Sequence, residues 1–201
     1  MMDAAQISGI ILAGGQARRM GGVDKGLVEF NGKTMYERIN KLLAPQVKEV
    51  LVNANRNHDR YQAHGATVVE DYLQGYLGPL AGLASGMMAA KTTWVITVPC
   101  DGPFLNQDYV MRMANEVVED TRIVVARDSV RLQPTYMLVE TALVDDLKSF
   151  LESGERKIDR WFVKHSYRTC DFSDSPDFFL NINSEQERQQ AEERMKSDGL
   201  T

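Results

Sequence analysis

Short apolar runs that alternate with helix-like stretches are the feature that most constrains the fold of this sequence. Runs rich in β-branched and other apolar residues, bounded by turn residues, are typical of strands. The predicted strands and short extended pieces read IILA from Ile10, LVEF over Leu27–Phe30, EVLVN over Glu49–Asn53, ATVVED from Ala66, TWVITVP over Thr93–Pro99, RIVVA from Arg122 and TYMLV from Thr135. Helix-like stretches between strands predict a three-layer α/β fold with a mainly parallel sheet.

Local start signals support several of the intervening helices. Thr34 and Glu37 form a capping box pattern that opens one helix, and Ser184 with Glu187 opens a polar terminal helix in the same way. Further helices are predicted from Leu80, over 142–153 and over 157–165. The polar stretch RNHDRYQAHG, from Arg56, is interpreted as the connection between the strands EVLVN and ATVVED. Asn31-Gly32 is interpreted as a tight turn.

Length and charge restrict the function. The 201 residues are predicted to form a single domain, with a nucleotide-binding half at roughly 1–105 and an acceptor-binding half at roughly 106–201. The net charge of −5 argues against a nucleic-acid partner. Two distant cysteines, with neither a signal peptide nor an apolar run long enough to span a membrane, predict a cytoplasmic protein.

Polar residues follow four of the predicted strands where each one ends. The first strand ends in a glycine-rich loop, and the others end at Asn53, Asp71 and Asp101. Ligands of parallel α/β sheets bind beyond the carboxyl ends of the strands, so these residues are expected to meet at one site.

The glycine-rich loop, LAGGQARRMGGVDK over 12–25, is expected to bind phosphate. Its glycines allow backbone N–H groups to face phosphate oxygens, and its cations can neutralise their charge. Neither common phosphate motif fits, because the G-x-G-x-x-G spacing is absent and GKT at Gly32 lacks the first glycine of a Walker A motif, with Leu27 in its place. The stretch instead resembles the nucleotidyltransferase signature, a strand followed by two glycines, an arginine, a methionine and a lysine.

Three further motifs allow both a structural and a functional interpretation. Asp101 in PCDGP is either a turn residue or a Mg²⁺ ligand, and its place at the predicted site favours the metal. GPLAG over 78–82 is a common helix start that also suits an anion. Asn181 and Asn183 in FLNIN are either turn residues before a helix or ligand contacts, and Arg156 in GER is either a surface cation or a phosphate contact.

Together these motifs resemble those of the molybdenum cofactor guanylyltransferases, in the order LAGGQARRMGG, VNANR, ED, GPLAG, PCD, QPT, GER and NIN. The resemblance implies a Rossmann-like nucleotidyltransferase fold, GTP and molybdopterin as substrates, and Mg²⁺ held by Asp101. It implies catalytic roles for Arg19, Lys25 and Asp101. It places nucleotide contacts at Leu12, Ala13, Gly14, Gly15, Lys25, Asn53, Asp71 and Asp101. It places acceptor contacts at Gly22, Gly78, Gly82, Arg156, Asn181 and Asn183.

The sequence departs from this family at two points: Ala17 stands where some members carry serine, and Gln133 where some carry histidine. A cytidylyltransferase acting on the same pterin and a sugar-phosphate nucleotidyltransferase stay open as alternatives, since both share the loop. A non-catalytic nucleotide-binding module is not favoured, because Arg19, Lys25 and Asp101 are all present. The resemblance also implies molybdenum-insertion proteins and cofactor-accepting apo-enzymes as partners, and a monomer is expected.

Overall fold

The sheet predicted from the sequence is present in the computed structural model, which describes residues 3–15, 24–73, 75 and 78–197. Its seven strands run in the spatial order β5-β4-β1-β6-β8-β7-β9. Their bounds are β1 Ile7–Leu12, β4 Glu49–Asn53, β5 Thr67–Val69, β6 Trp94–Pro99, β7 Ile123–Arg127, β8 Leu132–Glu140 and β9 Tyr167–Asp171. A separate hairpin pairs β2 Glu29–Phe30 with β3 Lys33–Thr34.

Only β8 runs against the other strands of the large sheet. It pairs antiparallel with both β6 and β7, whereas β1, β4, β5 and β6 pair in parallel with one another, and so do β7 and β9. The prediction of a mainly parallel sheet is therefore confirmed. The direction of β8 could not be inferred from the apolar run TYMLV, because strand periodicity is the same in both directions.

Helices cover both faces of the sheet, as the three-layer prediction requires. The helices are α1 Met35–Leu43, α2 His58–Ala63, α3 Pro79–Ala89, α4 Tyr109–Asn115, α5 Val144–Glu152, α6 Ile158–Phe162 and α7 Glu185–Ser197. One face packs against α1, α2 and α4, and the other against α3, α5 and α6. In the part of the chain that the structure describes, no helix has the length and apolar composition needed to cross a membrane.

Two of the local signals that the sequence carries are found where they are expected. The Thr34 hydroxyl accepts from the Glu37 N–H, and the Glu37 carboxylate accepts from the Thr34 N–H, so the capping box of α1 is complete. Asn31 and Gly32 both have positive φ, at 50° and 73°, which makes Asn-Gly the turn between β2 and β3.

Two elements were missed. The polar stretch after Arg56 contains the short helix α2, in which Tyr61 alone is buried. The edge strand β9 was not predicted either, because Cys170 is its only buried residue and the strand lacks an apolar pattern. Between Lys25 and Leu27 the backbone forms a turn of 3-10 helix, so LVEF is extended only over Glu29–Phe30.

The stretch from 172 to 184, here called the crossing segment, connects β9 at the edge of the sheet to the end of β6. At its start the Phe172 N–H donates to the Arg127 carbonyl, and near its end the Ile182 N–H donates to the Asp101 carbonyl at 2.9 Å. Helix α7 then packs Met195 beside Ile182 and against Phe30 of the hairpin. The C-terminal part of the chain thus lies along the carboxyl edge of the strands.

Candidate functional site

The carboxyl ends of three neighbouring strands lie side by side, as the sequence predicted. Leu12, the last residue of β1, pairs with Asn53 at the end of β4 and with Pro99 at the end of β6. The Ala13 N–H donates to the Asn53 carbonyl at 2.8 Å, so the pairing continues one residue past β1. Asp101 follows β6 by two residues and therefore belongs to the same edge.

Lys25 and Asp101 form an ion pair at this edge. The Lys25 Nζ atom lies 2.9 Å from Oδ2 of Asp101, and it also donates to Oδ1 of Asn183 at 2.5 Å. An ammonium group has three N–H donors, so one of them is not used by these two contacts. The side chains of Lys25 and Asp101 keep 22% and 16% of their exposure, so a ligand can reach the pair.

The residue before Lys25 is held by buried hydrogen bonds. Asp24 is only 5% exposed, and its carboxylate accepts from the Tyr61 hydroxyl at 2.6 Å and from the Asn57 amide at 3.2 Å. Burial and the nearby Asp24 carboxylate both raise the pKa of Tyr61, which therefore stays a neutral donor. Gly26 is needed because a Cβ there would lie 2.3 Å from the Tyr61 hydroxyl. This cluster fixes the backbone from which Lys25 extends.

A second cluster forms around Asp71 at the ends of β4 and β5. The Asn53 amide donates to Oδ1 of Asp71 at 2.8 Å, and the Asn55 amide donates to Oδ2 at 2.7 Å. The Asp71 N–H in turn donates to Oδ1 of Asn55 at 2.9 Å. Asn55 was not among the predicted site residues, although the motif VNANR contained it. The period of two that aligns residues 53 and 55 on one face of an extended segment was the available signal.

The start of α3 packs closely against this cluster. A Cβ on Gly82 would lie 2.2 Å from Oδ1 of Asn53, and a Cβ on Gly14 would lie 2.8 Å from the same atom. Gly78 precedes the helix with φ of 82°, a conformation that favours glycine. Gly78 and Gly82, which the resemblance placed with the acceptor, thus belong to a helix start that contacts Asn53.

The other predicted acceptor residues lie apart from one another. Asn183 contacts Lys25, and Oδ1 of Asn181 lies near Gly102, 3.7 Å from where a Cβ would stand. Arg156 donates to the carbonyls of Leu151 and Glu155, both at 2.5 Å, and so caps the C-terminal end of α5. The structure therefore joins Asn183 to the lysine and gives Arg156 a structural contact.

Two buried groups lie beneath Asp101. Cys100 is 7% exposed, and burial, with the Asp101 charge, raises the pKa of its thiol, so it is not poised as a nucleophile. The Tyr136 hydroxyl is buried without a hydrogen-bond partner among the described residues, and it stands 2.3 Å from the position of a Gly102 Cβ. Burial raises the pKa of the Tyr136 hydroxyl, and the negative charge of Asp101 raises it further. Gly102 is required for this close approach.

Two of the predicted site residues fall where no geometry is described. Arg19 and Gly22 lie outside the described residues. Gly15 is described as exposed, with nothing within 4 Å of the position its Cβ would take. Within the described ranges, no group of three or more His, Cys, Asp or Glu could hold a metal ion on its own. Asp101 is the carboxylate that follows β6 at this edge, and its Oδ1 atom receives no hydrogen bond from the described residues.

Comparison with known proteins gives consistent matches. The model of the MobA-like NTP transferase domain matches residues 9–169. A molybdenum cofactor guanylyltransferase of Shewanella pealeana is 47% identical over 196 residues, which is 97% of this chain and 98% of that protein. One from Shewanella loihica is 48% identical over 189 residues, or 94% of this chain and 96% of that protein.

Among solved structures, molybdopterin-guanine dinucleotide biosynthesis protein A from Archaeoglobus fulgidus superimposes with a TM-score of 0.77. It is 18% identical, and the match covers 94% of this chain and 99% of that one. A 4-diphosphocytidyl-2C-methyl-D-erythritol synthase from Anaerococcus prevotii has a TM-score of 0.74 at 13% identity, covering 96% of this chain and 100% of that one. At these identities the two structures support the fold alone.

Proposed function

The chain belongs to the MobA-like NTP transferase family and, within it, to the molybdenum cofactor guanylyltransferases, and from that premise we propose that it transfers GMP from GTP to molybdopterin. The product is the guanine dinucleotide form of the cofactor, and pyrophosphate is released. The observation that carries the proposal is the ion pair between Lys25 and Asp101 at the carboxyl edge of the sheet, where α/β folds bind their ligands.

The reaction is an in-line displacement. An oxygen of the terminal phosphate of molybdopterin attacks the α-phosphorus of GTP, the bond from that phosphorus to the oxygen bridging the β-phosphate breaks, and pyrophosphate leaves. Such a transfer depends on positioning and charge stabilisation and needs no protein nucleophile. Lys25 supplies a positive charge that is already oriented by Asp101 and Asn183, and its remaining N–H is available to a phosphate oxygen.

The donor chemistry of the edge fits Mg²⁺. Phosphate-bound magnesium usually takes one or two carboxylates, and Asp101 offers one whose Oδ1 atom has no hydrogen bond from the described residues. Bound there, the ion would supply Lewis-acid polarisation of the transferred phosphoryl group. Oδ2 of Asp101 accepts from Lys25, so the carboxylate would hold the ion through Oδ1 while Lys25 keeps its orientation.

The remaining residues are assigned by position. We propose that the nucleotide lies along the edge formed by Gly14, Asn53 and Asp71, with the phosphates toward Lys25 and Arg19. Leu12, Ala13 and Gly15, at the end of β1 and just after it, are proposed to contact the nucleotide as well. The acceptor is proposed to approach from the crossing segment, through Asn181 and Asn183. The acceptor contacts that the resemblance implies for Gly22, Gly78, Gly82 and Arg156 stay predictions. A monomeric state, a cytoplasmic location and transfer of product to cofactor-accepting apo-enzymes stay predictions.

Pyrophosphate release tests this function directly. Purified protein is incubated with Mg²⁺ and molybdopterin, separately with each of the four nucleoside triphosphates, and with Lys25→Ala as the negative control. We expect release with GTP that depends on molybdopterin, and about 10²–10³-fold slower turnover in the variant. Preferential release with CTP would support the cytidylyltransferase instead. Release that depends on a sugar phosphate and not on the pterin would contradict the proposal.

A further inference from the structure

Asn55 is placed to control the orientation of the Asp71 carboxylate. It follows β4 by two residues, and its amide contacts Asp71 twice. The side-chain N–H donates to Oδ2 at 2.7 Å, and the side-chain oxygen accepts from the Asp71 backbone N–H at 2.9 Å. The same amide nitrogen lies 3.5 Å from the Gly14 carbonyl. A reciprocal pair of this kind fixes both the position of residue 71 and the rotation of its side chain.

Asn53 completes the support from the other side. Its amide donates to Oδ1 of Asp71 at 2.8 Å, so each carboxylate oxygen accepts one amide N–H. An ionised carboxylate has about four lone-pair positions, two on each oxygen. The described residues therefore leave one position on each oxygen for a ligand. No Lys, Arg or His in the described part of the chain forms an ion pair with Asp71.

Two acceptor positions, one on each oxygen of a fixed carboxylate, suit a base with two adjacent N–H donors. Guanine has such an edge, formed by the ring N1–H and the 2-amino group. Cytosine presents lone pairs on its ring nitrogen and its carbonyl oxygen next to a single amino group, and these lone pairs would face a negative charge. Adenine likewise presents a ring nitrogen lone pair. A site built around hydrogen bonds strongly rejects a ligand that leaves them unpaired.

We propose that Asn55 is a positioning residue for base selection, which holds the Asp71 carboxylate in the orientation that accepts the two donors of guanine. This rests on the proposed function. Asn55 contacts the Asp71 carboxylate and the Asp71 backbone N–H, so its loss is expected to change which nucleotide is preferred more than how fast the reaction proceeds. Asn53 is less suited to a separate test, because its oxygen is also packed against Gly14 and Gly82.

The test compares Asn55→Ala and Asn55→Asp with wild type. Equilibrium binding of GTP, ITP and CTP is measured by calorimetry in the presence of Mg²⁺ and without acceptor, followed by kcat and KM with molybdopterin. ITP lacks the 2-amino group and so reports one of the two donors. Asn106→Ala is the matched control, since it removes an amide that donates to Ser175 away from Asp71. Thermal unfolding is recorded for all four proteins.

We expect the preference for GTP over CTP, and for GTP over ITP, to fall roughly tenfold or more in Asn55→Ala, while kcat at saturating GTP changes only a few-fold. Asn55→Asp is expected to bind GTP more weakly than Asn55→Ala, because it sets a second carboxylate against Asp71. Asn106→Ala is expected to keep the wild-type preference. An equal loss of affinity for all three nucleotides, or an unchanged preference, would overturn the inference. Failure of wild type to bind any nucleotide would instead contradict the proposed function.

Discussion

Lys25 donates to the side chains of Asp101 and Asn183, which come from distant parts of the chain. Because Asn183 helps to orient this lysine, we expect it to affect the rate of phosphoryl transfer. The resemblance placed Asn183 with the acceptor, yet its Oδ1 atom is 2.5 Å from the Lys25 Nζ atom. A hydrogen bond to a charged group contributes about 1.5–3 kcal/mol. We therefore expect Asn183→Ala to lower kcat roughly tenfold. Asn181→Ala, which leaves Lys25 untouched, should instead raise the KM for molybdopterin. Steady-state kinetics of both variants measures the two effects. A pure KM effect in Asn183→Ala would mean that Asn183 contacts the acceptor without orienting Lys25.

Asp101→Asn changes charge at nearly constant shape. The amide would keep one carbonyl oxygen but lose the negative charge, so Mg²⁺ should bind more weakly and the ion pair with Lys25 should be lost. We expect turnover to fall by about two orders of magnitude or more, with a higher Mg²⁺ requirement. Folding should persist, because asparagine also suits the turn before Gly102 and Pro103.

A magnesium titration of wild type and Asp101→Asn measures this effect. Asp108→Asn serves as the control, since Asp108 precedes α4 without a side-chain capping hydrogen bond. A wild-type rate with unchanged magnesium dependence in Asp101→Asn would remove this carboxylate from the mechanism and leave it as a turn residue.

At the scale of the element, α3 has two glycines that pack closely against different partners. A Cβ on Gly82 would meet the Asn53 amide at 2.2 Å, whereas a Cβ on Gly86 would meet the Ile10 side chain at 2.3 Å. Each alanine gains about 1 kcal/mol of helix propensity, but overpacking usually costs about 1–3 kcal/mol. Gly82→Ala should therefore weaken GTP binding by displacing Asn53, and Gly86→Ala should lower the melting temperature.

Calorimetric titration with GTP and thermal unfolding of both variants separate the two effects. Because the variants differ by one helical turn of the same element, each is the control for the other. Similar losses of GTP affinity in both would mean that α3 moves as a unit and that Asn53 is not the specific point of contact.

How far the sequence predicts an element depends on whether its signal is local. The Thr34–Glu37 capping box and the Asn31-Gly32 turn involve neighbours in sequence, and both were predicted correctly. The edge strand β9 and the short helix α2 were not, because each buries a single side chain and is stabilised by partners far along the chain. Likewise, the polar residues at the strand ends predicted a site at the carboxyl edge of the sheet. They did not predict the hydrogen bonds between Asn55 and Asp71.

At the scale of the whole molecule, the C-terminal part of the chain packs against the edge of the sheet that carries the candidate site. The crossing segment brings Asn183 to Lys25, and α7 holds that segment against the hairpin of β2 and β3. The Glu192 carboxylate accepts from the Asn31 N–H at 3.1 Å, and Arg188 contacts the Glu29 carbonyl at 3.4 Å. Nothing in the sequence around these residues indicated the contacts, since they join positions about 160 residues apart.

Met195 is the buried residue through which α7 packs against the hairpin and the crossing segment. Its truncation to alanine tests whether this packing is needed for catalysis. Its side chain is 0% exposed and packs in one cluster with Phe30, Met35 and Ile182. Met-to-Ala substitutions in a core cost about 2–5 kcal/mol. Because Met195 packs with Ile182 and with the hairpin and not in the two clusters that cover the large sheet, this loss should loosen the C-terminal part more than the sheet. In the Met195→Ala variant we expect backbone amide hydrogens of α7 and of Ile182 to exchange faster than in wild type. The amides of β1 and β6 should stay protected from exchange.

The same loosening should lower kcat, because Asn183 would no longer be held against Lys25. Met111→Ala is the matched control, since that methionine is 54% exposed and its truncation leaves no cavity. Hydrogen exchange followed by mass spectrometry, together with pyrophosphate release, gives both readouts on the same proteins. If exchange in α7 rises while kcat stays at the wild-type value, this packing stabilises the fold without orienting Lys25. If exchange rises over the sheet as well, α7 is part of the global folding unit, and the lower rate then reports stability.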